Sequence, residues 1–245
     1  MLDLKSYSMV SNQGPYLQLN EDSVESDLVN GLFFIIDGFG GANIGDRAVA
    51  KIKEDLKKFY SNIGGDPDST LPHFYSARYS IESNAMINSI YYTHNSLRDE
   101  NSKKPMSERA GASVLMAALT DNLVSLVGVG NCRAILLRGG SIKEVCSPDN
   151  MEFVCGDFYD RQFHTMPNSA LGLYDDFSFI AKEVRIQSDD MVVMMTDGAY
   201  SRISDDELKQ ILTKPIRHNQ KIDDIFHLVN SRGNMDNQSV IVLEF

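Results

Sequence analysis

Short runs of apolar residues recur along the chain between polar or turn-forming segments, and each run is too short for a typical helix. They predict buried β-strands at 32–36 (LFFII), 123–129 (LVSLVGV), 134–137 (AILL), 191–195 (MVVMM) and 240–243 (VIVL). A sixth run, 114–119 (VLMAAL), is ambiguous by itself. Asp121 and Asn122 follow it and form a good turn sequence, so a hairpin with the next strand is plausible.

Apolar residues at helical spacing predict helices at 45–60 and 81–97, between the strands. A third helix is predicted from Ser204, an N-cap residue with Glu207 three positions later, through Leu212, and a shorter one at 222–229. Strands in adjacent pairs with helices in separate blocks favour two layers of sheet covered by helices, an α+β fold. The turn-rich segments 64–72 and 101–105 are too short for linkers, so we expect one domain over 1–245.

The composition adds an excess of acid to this picture. Hydrophobic residues make up 42% of the chain and charged residues 23%, and the net charge is −11. A strongly acidic surface argues against nucleic acid as a partner. The excess carboxylates either form a solvated surface or supply the oxygen ligands that hard divalent cations require, and their positions must decide which.

The cysteines and the N-terminal sequence indicate the compartment. Cys132, Cys146 and Cys155 form neither a CxxC pair nor an even framework, which favours buried free thiols over disulfides or zinc. The N-terminal sequence lacks a basic stretch followed by an apolar core, and no run is long enough to span a membrane. We therefore expect a cytoplasmic protein with no membrane partner.

Three aspartates lie at the ends of three predicted strands. Asp37 directly follows the run 32–36, Asp197 follows the run 191–195 after one threonine, and Asp236 precedes the last strand. Any one of them alone is more often a turn residue than a ligand. Carboxylates that converge repel one another unless cations lie between them, so this pattern predicts a metal site. Oxygen ligands without His or Cys favour Mg²⁺ or Mn²⁺.

The acids belong to an ordered series of short blocks that covers nearly the whole chain. The blocks are 20–22 (NED), 34–41 (FIIDGFGG) with Gly45 after it, 111–113 (GAS), 128–133 (GVGNCR), 170–172 (ALG), 196–198 (TDG) and 236–237 (DN). Each block is weak evidence alone, but in this order they resemble the PP2C (PPM) family of metal-dependent serine/threonine phosphatases, in particular its compact bacterial members.

The resemblance implies a fold, a reaction and a set of site residues. The fold would be a four-layer αββα sandwich of two antiparallel sheets flanked by helix pairs. The reaction would be hydrolysis of phosphoserine and phosphothreonine in a phosphorylated protein substrate, by a water activated between two Mn²⁺ or Mg²⁺ ions. The Asp37 side chain would bridge both ions, and Asp22 would orient the water. The implied metal ligands are Glu21, Asp37, the Gly38 carbonyl, Asp197 and Asp236.

The chain departs from the family pattern at three positions. Leu17 stands where the family usually has an arginine that grips the substrate phosphate, and Ala42 stands where a histidine commonly assists the leaving group. Asn131 replaces an aspartate that bacterial members associate with a third metal. These changes leave the two-metal core but remove a phosphate contact, a proton donor and an accessory site. Arg47 could supply the missing cation, although a surface arginine is the more frequent explanation.

The family resemblance also bears on one segment, 148–169, and on His164 and Arg133. The segment 148–169 lies where family members carry a flap beside the active site, and we expect it to be irregular. His164 within it could meet a leaving group, but a solvent-exposed loop histidine is the safer interpretation. For Arg133 the resemblance implies a structural hydrogen-bonding role.

Two other functions compete with the phosphatase interpretation. The glycines at 38–41 after a strand superficially resemble a dinucleotide-binding loop, but Asn43 occupies the place of the third glycine and alternating βαβ units are missing. A catalytically weak or inactive phosphatase-like binding module is the better rival, motivated by Leu17, Ala42 and Asn131. A site without chemistry has no evident reason to keep so many mutually repelling carboxylates, so the enzyme is favoured.

Overall fold

The computed structural model describes residues 4–40, 45–64, 71–151 and 165–245, and within these ranges the chain forms ten strands and five α-helices. The strands are β1 (Ser6–Asn12), β2 (Asp22–Asp27), β3 (Leu32–Gly40), β4 (Ala110–Thr120), β5 (Leu123–Val129), β6 (Arg133–Arg138), β7 (Ser141–Cys146), β8 (Ile180–Arg185), β9 (Met191–Met195) and β10 (Gln238–Glu244). The helices are α1 (Gly45–Gly64), α2 (Ile81–Asn101), α3 (Asp197–Tyr200), α4 (Asp205–Leu212) and α5 (His218–Ser231).

The strands form two antiparallel sheets of five strands each among the described residues. The first sheet has the order β1-β10-β9-β6-β7, and the second has the order β2-β3-β4-β5-β8. All six apolar runs lie in strands of these sheets, and the α+β prediction with two layers of sheet is confirmed. The strands from the strongest runs occupy the sheet interiors, where both faces are covered.

The sheets pack face to face, and helices cover their outer faces. In β3, Phe33 and Ile35 point into the layer between the sheets, whereas Phe34 and Ile36 pack under α1 and α2. On the other side, Val193 and Val242 of the first sheet pack under α3, α4 and α5. A strand buried on both faces needs apolar residues at successive positions, which explains the continuous run 32–36. The predicted four-layer αββα sandwich is therefore confirmed.

The turn between β4 and β5 is tight. Thr120 pairs with Leu123, and Asp121 between them has a φ of 53°. Aspartate is one of the few residues that tolerate this left-handed conformation. The hairpin predicted from Asp121 and Asn122 is confirmed.

Four strands and one helix were missed in the sequence. The missed strands, β1, β2, β7 and β8, are the outer strands of the two sheets. The missed helix is α3, a four-residue helix that begins at Asp197, where the sequence predicted a metal ligand but no helix. Ser204 and Glu207 do form the predicted capping box at the start of α4.

The two cysteines that the structure describes are buried, as the sequence predicts. Cys132 and Cys146 are buried free thiols, and Cys155 lies outside the described residues. None of the helices in the described part is long and apolar enough to cross a membrane. Arg133 has the structural role that the resemblance implies, because its guanidinium binds Glu144 at 2.8 Å and Asp205 at 2.9 Å.

Candidate metal centre

Two of the predicted site acids lie side by side in the second sheet. Asp22 begins β2 and Asp37 lies in β3, and the two residues are directly paired in the antiparallel register. Both side chains are buried. Directly opposed like charges on neighbouring strands are unfavourable, so the fold places these carboxylates together at an energetic cost.

The first sheet brings two more acids to the same end of the sandwich. Asp197 is the first residue of α3, immediately after β9, and it is buried. Asp236 precedes β10, the antiparallel neighbour of β9, and this residue is more exposed than the other three aspartates. The charges of Asp22, Asp197 and Asp236 all act on Asp37, so the structure places these four predicted site acids near one another.

The electrostatics of the four acids show how closely they interact. Burial and the charges of neighbouring acids raise the pKa of Asp22 and Asp37 well above the usual aspartate range. Burial and the charge of Asp236 raise the pKa of Asp197 to about 7. Partial burial raises the pKa of Asp236. The charged neighbours that shift these acids are themselves acids, so a cation would be strongly favoured here.

Glu21 and Gly38 are held in direct contact beside these acids. The Gly38 backbone N–H donates to the Glu21 carbonyl at 3.0 Å, and the Gly45 N–H donates to the Glu21 carboxylate at 3.1 Å. A Cβ on Gly38 would lie 2.6 Å from the Glu21 carbonyl oxygen, so only glycine fits at this approach. Burial, followed by the charges of Asp46 and Asp236, raises the pKa of Glu21.

The oxygen donors of these residues are of the type that hard divalent cations prefer. Asp37 Oδ2 is buried, and among the described residues it has no hydrogen-bond partner. A buried carboxylate oxygen without a donor is costly unless a cation or water completes it. Among the described residues, no group of three or more His, Cys, Asp or Glu side chains is arranged so that it could hold a metal ion. The ligand set therefore stays a prediction, supported by donor type, burial and the unpartnered oxygen.

Asn237 is a site residue whose role the sequence did not reveal. It is buried, and its side chain accepts from the Glu21 N–H at 2.8 Å and donates to the carbonyls of Gln13 at 2.7 Å and Leu19 at 3.0 Å. The Asn237 side chain thus holds the segment before β2 next to Asp236, its neighbour in the chain. The DN pair marked the position, but only the packing of the two sheets shows the contacts.

Thr196 and Asn131 also contact the acids. Thr196 Oγ1 donates to Asp22 Oδ2 at 2.8 Å and so joins β9 of the first sheet to β2 of the second. Asn131 is buried, and its amide donates to Asp197 Oδ2 at 3.1 Å and to the Thr165 carbonyl at 2.8 Å. Asn131 therefore gives Asp197 a hydrogen-bond donor where an aspartate would add another negative charge.

The other positions that depart from the family pattern are less constrained. Leu17 lies in the segment before β2 and is 41% exposed. Arg47 is exposed in the first turn of α1, so its proposed role as a replacement cation stays a prediction. Ala42 and His164 lie outside the described residues, as does most of the segment predicted to be an irregular flap.

Replacing Asn237 by Ala is expected to destabilise the protein, because it removes the partly buried hydrogen bonds of this side chain with the Glu21 N–H and with the carbonyls of Gln13 and Leu19. The expected loss is about 2–3 kcal/mol in the free energy of unfolding, which lowers the thermal midpoint by roughly 5–10 °C. Thermal unfolding followed by circular dichroism measures it. Asn95→Ala on the exposed face of α2 is the matched control and should change the midpoint little. Equal thermal midpoints for the two variants would show that the Asn237 hydrogen bonds do not stabilise the fold.

Known proteins show both sequence and structural similarity to this chain. A family model for protein phosphatase 2C matches residues 18–242. Probable protein phosphatase 2C 26 of Arabidopsis thaliana is 29% identical over 109 residues, which cover 44% of this chain and 34% of that protein. Protein phosphatase PhpP of Streptococcus pneumoniae is 20% identical over 220 residues, covering 86% of this chain and 85% of PhpP. The matched part of the chain therefore spans about a third of the Arabidopsis relative and most of PhpP.

Solved structures share the fold. The serine/threonine phosphatase Stp1 from Staphylococcus aureus superposes with a TM-score of 0.81 at 18% identity, with coverage of 100% of this chain and 96% of Stp1. The catalytic domain of the phosphatase PstP, in complex with two manganese ions, superposes with a TM-score of 0.77 at 19% identity, with coverage of 98% and 97%. At these identities the likeness concerns the architecture of two sheets and flanking helices.

Proposed function

The chain belongs to the protein phosphatase 2C family, and from that membership we propose that it hydrolyses phosphoserine and phosphothreonine in proteins, with residues 1–245 forming one phosphatase domain. The observation that carries the proposal is the pairing of Asp22 with Asp37 across two strands, with Asp197 and Asp236 brought beside them from the other sheet. This set of mutually repelling carboxylates, of which Asp22, Asp37 and Asp197 are buried, serves no structural purpose that the surrounding contacts reveal.

The proposed cofactors are two divalent cations, Mn²⁺ or Mg²⁺. Glu21, Asp37 and the Gly38 carbonyl would hold one, and Asp37, Asp197 and Asp236 would hold the other. Bound at this site, the cations would make a water molecule more acidic and screen the charge of the phosphoryl oxygens. Support comes from the unpartnered Asp37 oxygen, from the raised pKa values of the acids and from the manganese ions in PstP.

The chain's own residues would orient the reacting groups. Asp22 would accept a hydrogen bond from the attacking water, and the Thr196 hydroxyl fixes the Asp22 carboxylate for this role. Asn131 holds Asp197 by a neutral amide, which keeps that carboxylate in place without additional repulsion. Asn237 holds the backbone of Glu21. These three polar side chains would preorganise acids that come from separate segments.

The proposal also predicts that substrate phosphate binds only when cations are present. Phosphate monoesters are anions at neutral pH, and the acids at the centre would repel them. Leu17 supplies no charge where the family usually has an arginine. The cations must therefore provide most of the attraction for the phosphate.

Hydrolysis of a phosphothreonine peptide and of an aryl phosphate tests the proposal, each with Mn²⁺, Mg²⁺, Ca²⁺ or EDTA. We expect turnover with Mn²⁺ or Mg²⁺ and none in EDTA. Calcium should bind but support little turnover, because it accepts longer bonds and higher coordination numbers than the site requires. A protein that binds Mn²⁺ by calorimetry but hydrolyses neither substrate above the metal-only blank would be a non-catalytic binding module, and the proposal would fail.

A further inference from the structure

Large apolar side chains are exposed on both chain segments that lead into the acids. Tyr16, Leu17 and Leu19, in the segment just before Glu21, are 70%, 41% and 38% exposed. Met235, immediately before Asp236, is 66% exposed. We call these four residues the apolar rim. Single exposed apolar residues are common on protein surfaces, but several beside a functional site indicate an interaction surface.

The two segments of the rim are bound to each other. Asn237 donates to the carbonyls of Gln13 and Leu19, and the Gln13 side chain donates to the Leu17 carbonyl. Gly14 has a φ of 78°, and a Cβ there would lie 3.1 Å from the Asp236 carbonyl carbon, so the segment passes directly over Asp236. The rim is therefore held in place by polar backbone contacts, while its apolar side chains keep their exposure.

The position of the rim limits what can cover it. Leu19 is two residues from Glu21, and Met235 is adjacent to Asp236. Because the rim residues neighbour the proposed metal ligands in the chain, a phosphorylated segment bound at the acids would have its flanking residues within reach of the rim. A substrate is the occupant that this continuity favours over a permanent partner, which would block the site.

We propose that the apolar rim binds apolar side chains that neighbour the phosphorylated residue of a substrate protein. This inference rests on the proposed phosphatase activity and specifies its substrate class. Leu17 in place of an arginine fits this selection, because the position offers burial of apolar surface in place of a charge-assisted contact with phosphate. The acids with their cations would hold the phosphate, and the rim would select its neighbours.

Two phosphothreonine peptides of equal length and charge test the inference. One carries Leu and Phe beside the phosphothreonine, and the other carries Ser and Asn. The ratio of their kcat/KM values is measured with Mn²⁺ for the wild type, for Tyr16→Ser/Leu17→Ser and for Val29→Ser. Val29 is 93% exposed in the β2–β3 turn, at the opposite end of β3 from the acids, and serves as the control. Because the ratio is taken within each protein, partial loss of active protein cancels.

We expect the wild type and Val29→Ser to prefer the apolar peptide by about tenfold, the effect of burying roughly one apolar side chain. The preference of Tyr16→Ser/Leu17→Ser should fall to about twofold or less. Equal hydrolysis of both peptides by the wild type would overturn the rim's role and leave the phosphatase activity standing. If the wild type hydrolysed neither the two peptides nor an aryl phosphate, the proposed phosphatase activity would be overturned, and the inference with it. Size-exclusion chromatography with light scattering tests the other occupant, a second copy of the chain. A wild-type dimer that becomes a monomer in Tyr16→Ser/Leu17→Ser would identify the rim as a self-association surface and overturn the inference.

Discussion

Replacing Asp37 by Asn is expected to abolish Mn²⁺-dependent hydrolysis of a phosphothreonine peptide, with a loss of at least about a thousandfold in kcat/KM. Asp37 is the carboxylate proposed to contact both cations, and it carries the unpartnered buried oxygen. An amide keeps the shape of the side chain but loses the negative charge. Steady-state kinetics over a range of Mn²⁺ concentrations would show that added metal does not restore the rate.

The same substitution should stabilise the metal-free protein. Asp37 faces Asp22 across the strand pair and feels the charges of Asp197 and Asp236, so removing its charge relieves repulsion. We expect a gain of about 1–2 kcal/mol in the free energy of unfolding in EDTA. Asp223→Asn on the exposed side of α5 is the control and should alter neither quantity. Near-normal turnover of Asp37→Asn would show that the proposed ligand set is wrong.

Adding Mn²⁺ to the metal-free protein is expected to raise its thermal midpoint more at pH 8 than at pH 6.5. A ligand present at a hundred times its dissociation constant adds about 2.7 kcal/mol, or roughly 5–10 °C for a chain of this size. The aspartates of the site have raised folded-state pKa values, about 7 for Asp197, against an unfolded value near 3.9. Between these values the folded state binds more protons, so the metal-free protein loses stability as pH rises through the folded pKa values.

The cation should remove this pH dependence because it replaces the protons. The comparison is restricted to pH 6.5–8, because at lower pH the titration of His94 changes the stability of the folded protein in the opposite direction. Burial, followed by the charge of Arg98, lowers the pKa of His94, so stability falls as pH drops below the unfolded histidine value of about 6.5. Thermal scans with Mn²⁺, with EDTA and with NaCl of matched ionic strength measure the effect. A midpoint shift that is the same at both pH values would contradict the electrostatic account.

The sequence revealed the interior of the fold better than its edges. The interior strands β3, β4, β5, β6, β9 and β10 are buried on both faces, and each contains a continuous apolar run. The outer strands have mixed sequences such as DSVESD in β2 and SIKEVC in β7, because half of an edge strand faces water and charged residues there discourage pairing with other chains. Such a strand contains no continuous apolar run, so it can be recognised only in the structure, where it pairs with a neighbouring strand.

The candidate site shows the same division. Acids at strand ends were visible because each one follows or precedes an apolar run, and the structure brings Asp37, Asp197 and Asp236 together. The contacts of Thr196 with Asp22 and of Asn237 with Glu21 join residues far apart in the chain. They depend on how one sheet docks on the other, which no local pattern encodes.

The origin of the acids in two different sheets has a consequence for folding. Asp22 and Asp37 belong to the second sheet, whereas Asp197 and Asp236 belong to the ends of strands in the first. Each sheet can form its own ladder without the other, but neither alone assembles the charge cluster. During refolding, pairing of β2 with β3 already places Asp22 opposite Asp37, and docking of the two hydrophobic faces adds the repulsion from Asp197 and Asp236. Sheet docking is therefore the step at which the full charge cluster forms, and a cation bound to the cluster would favour the docked state.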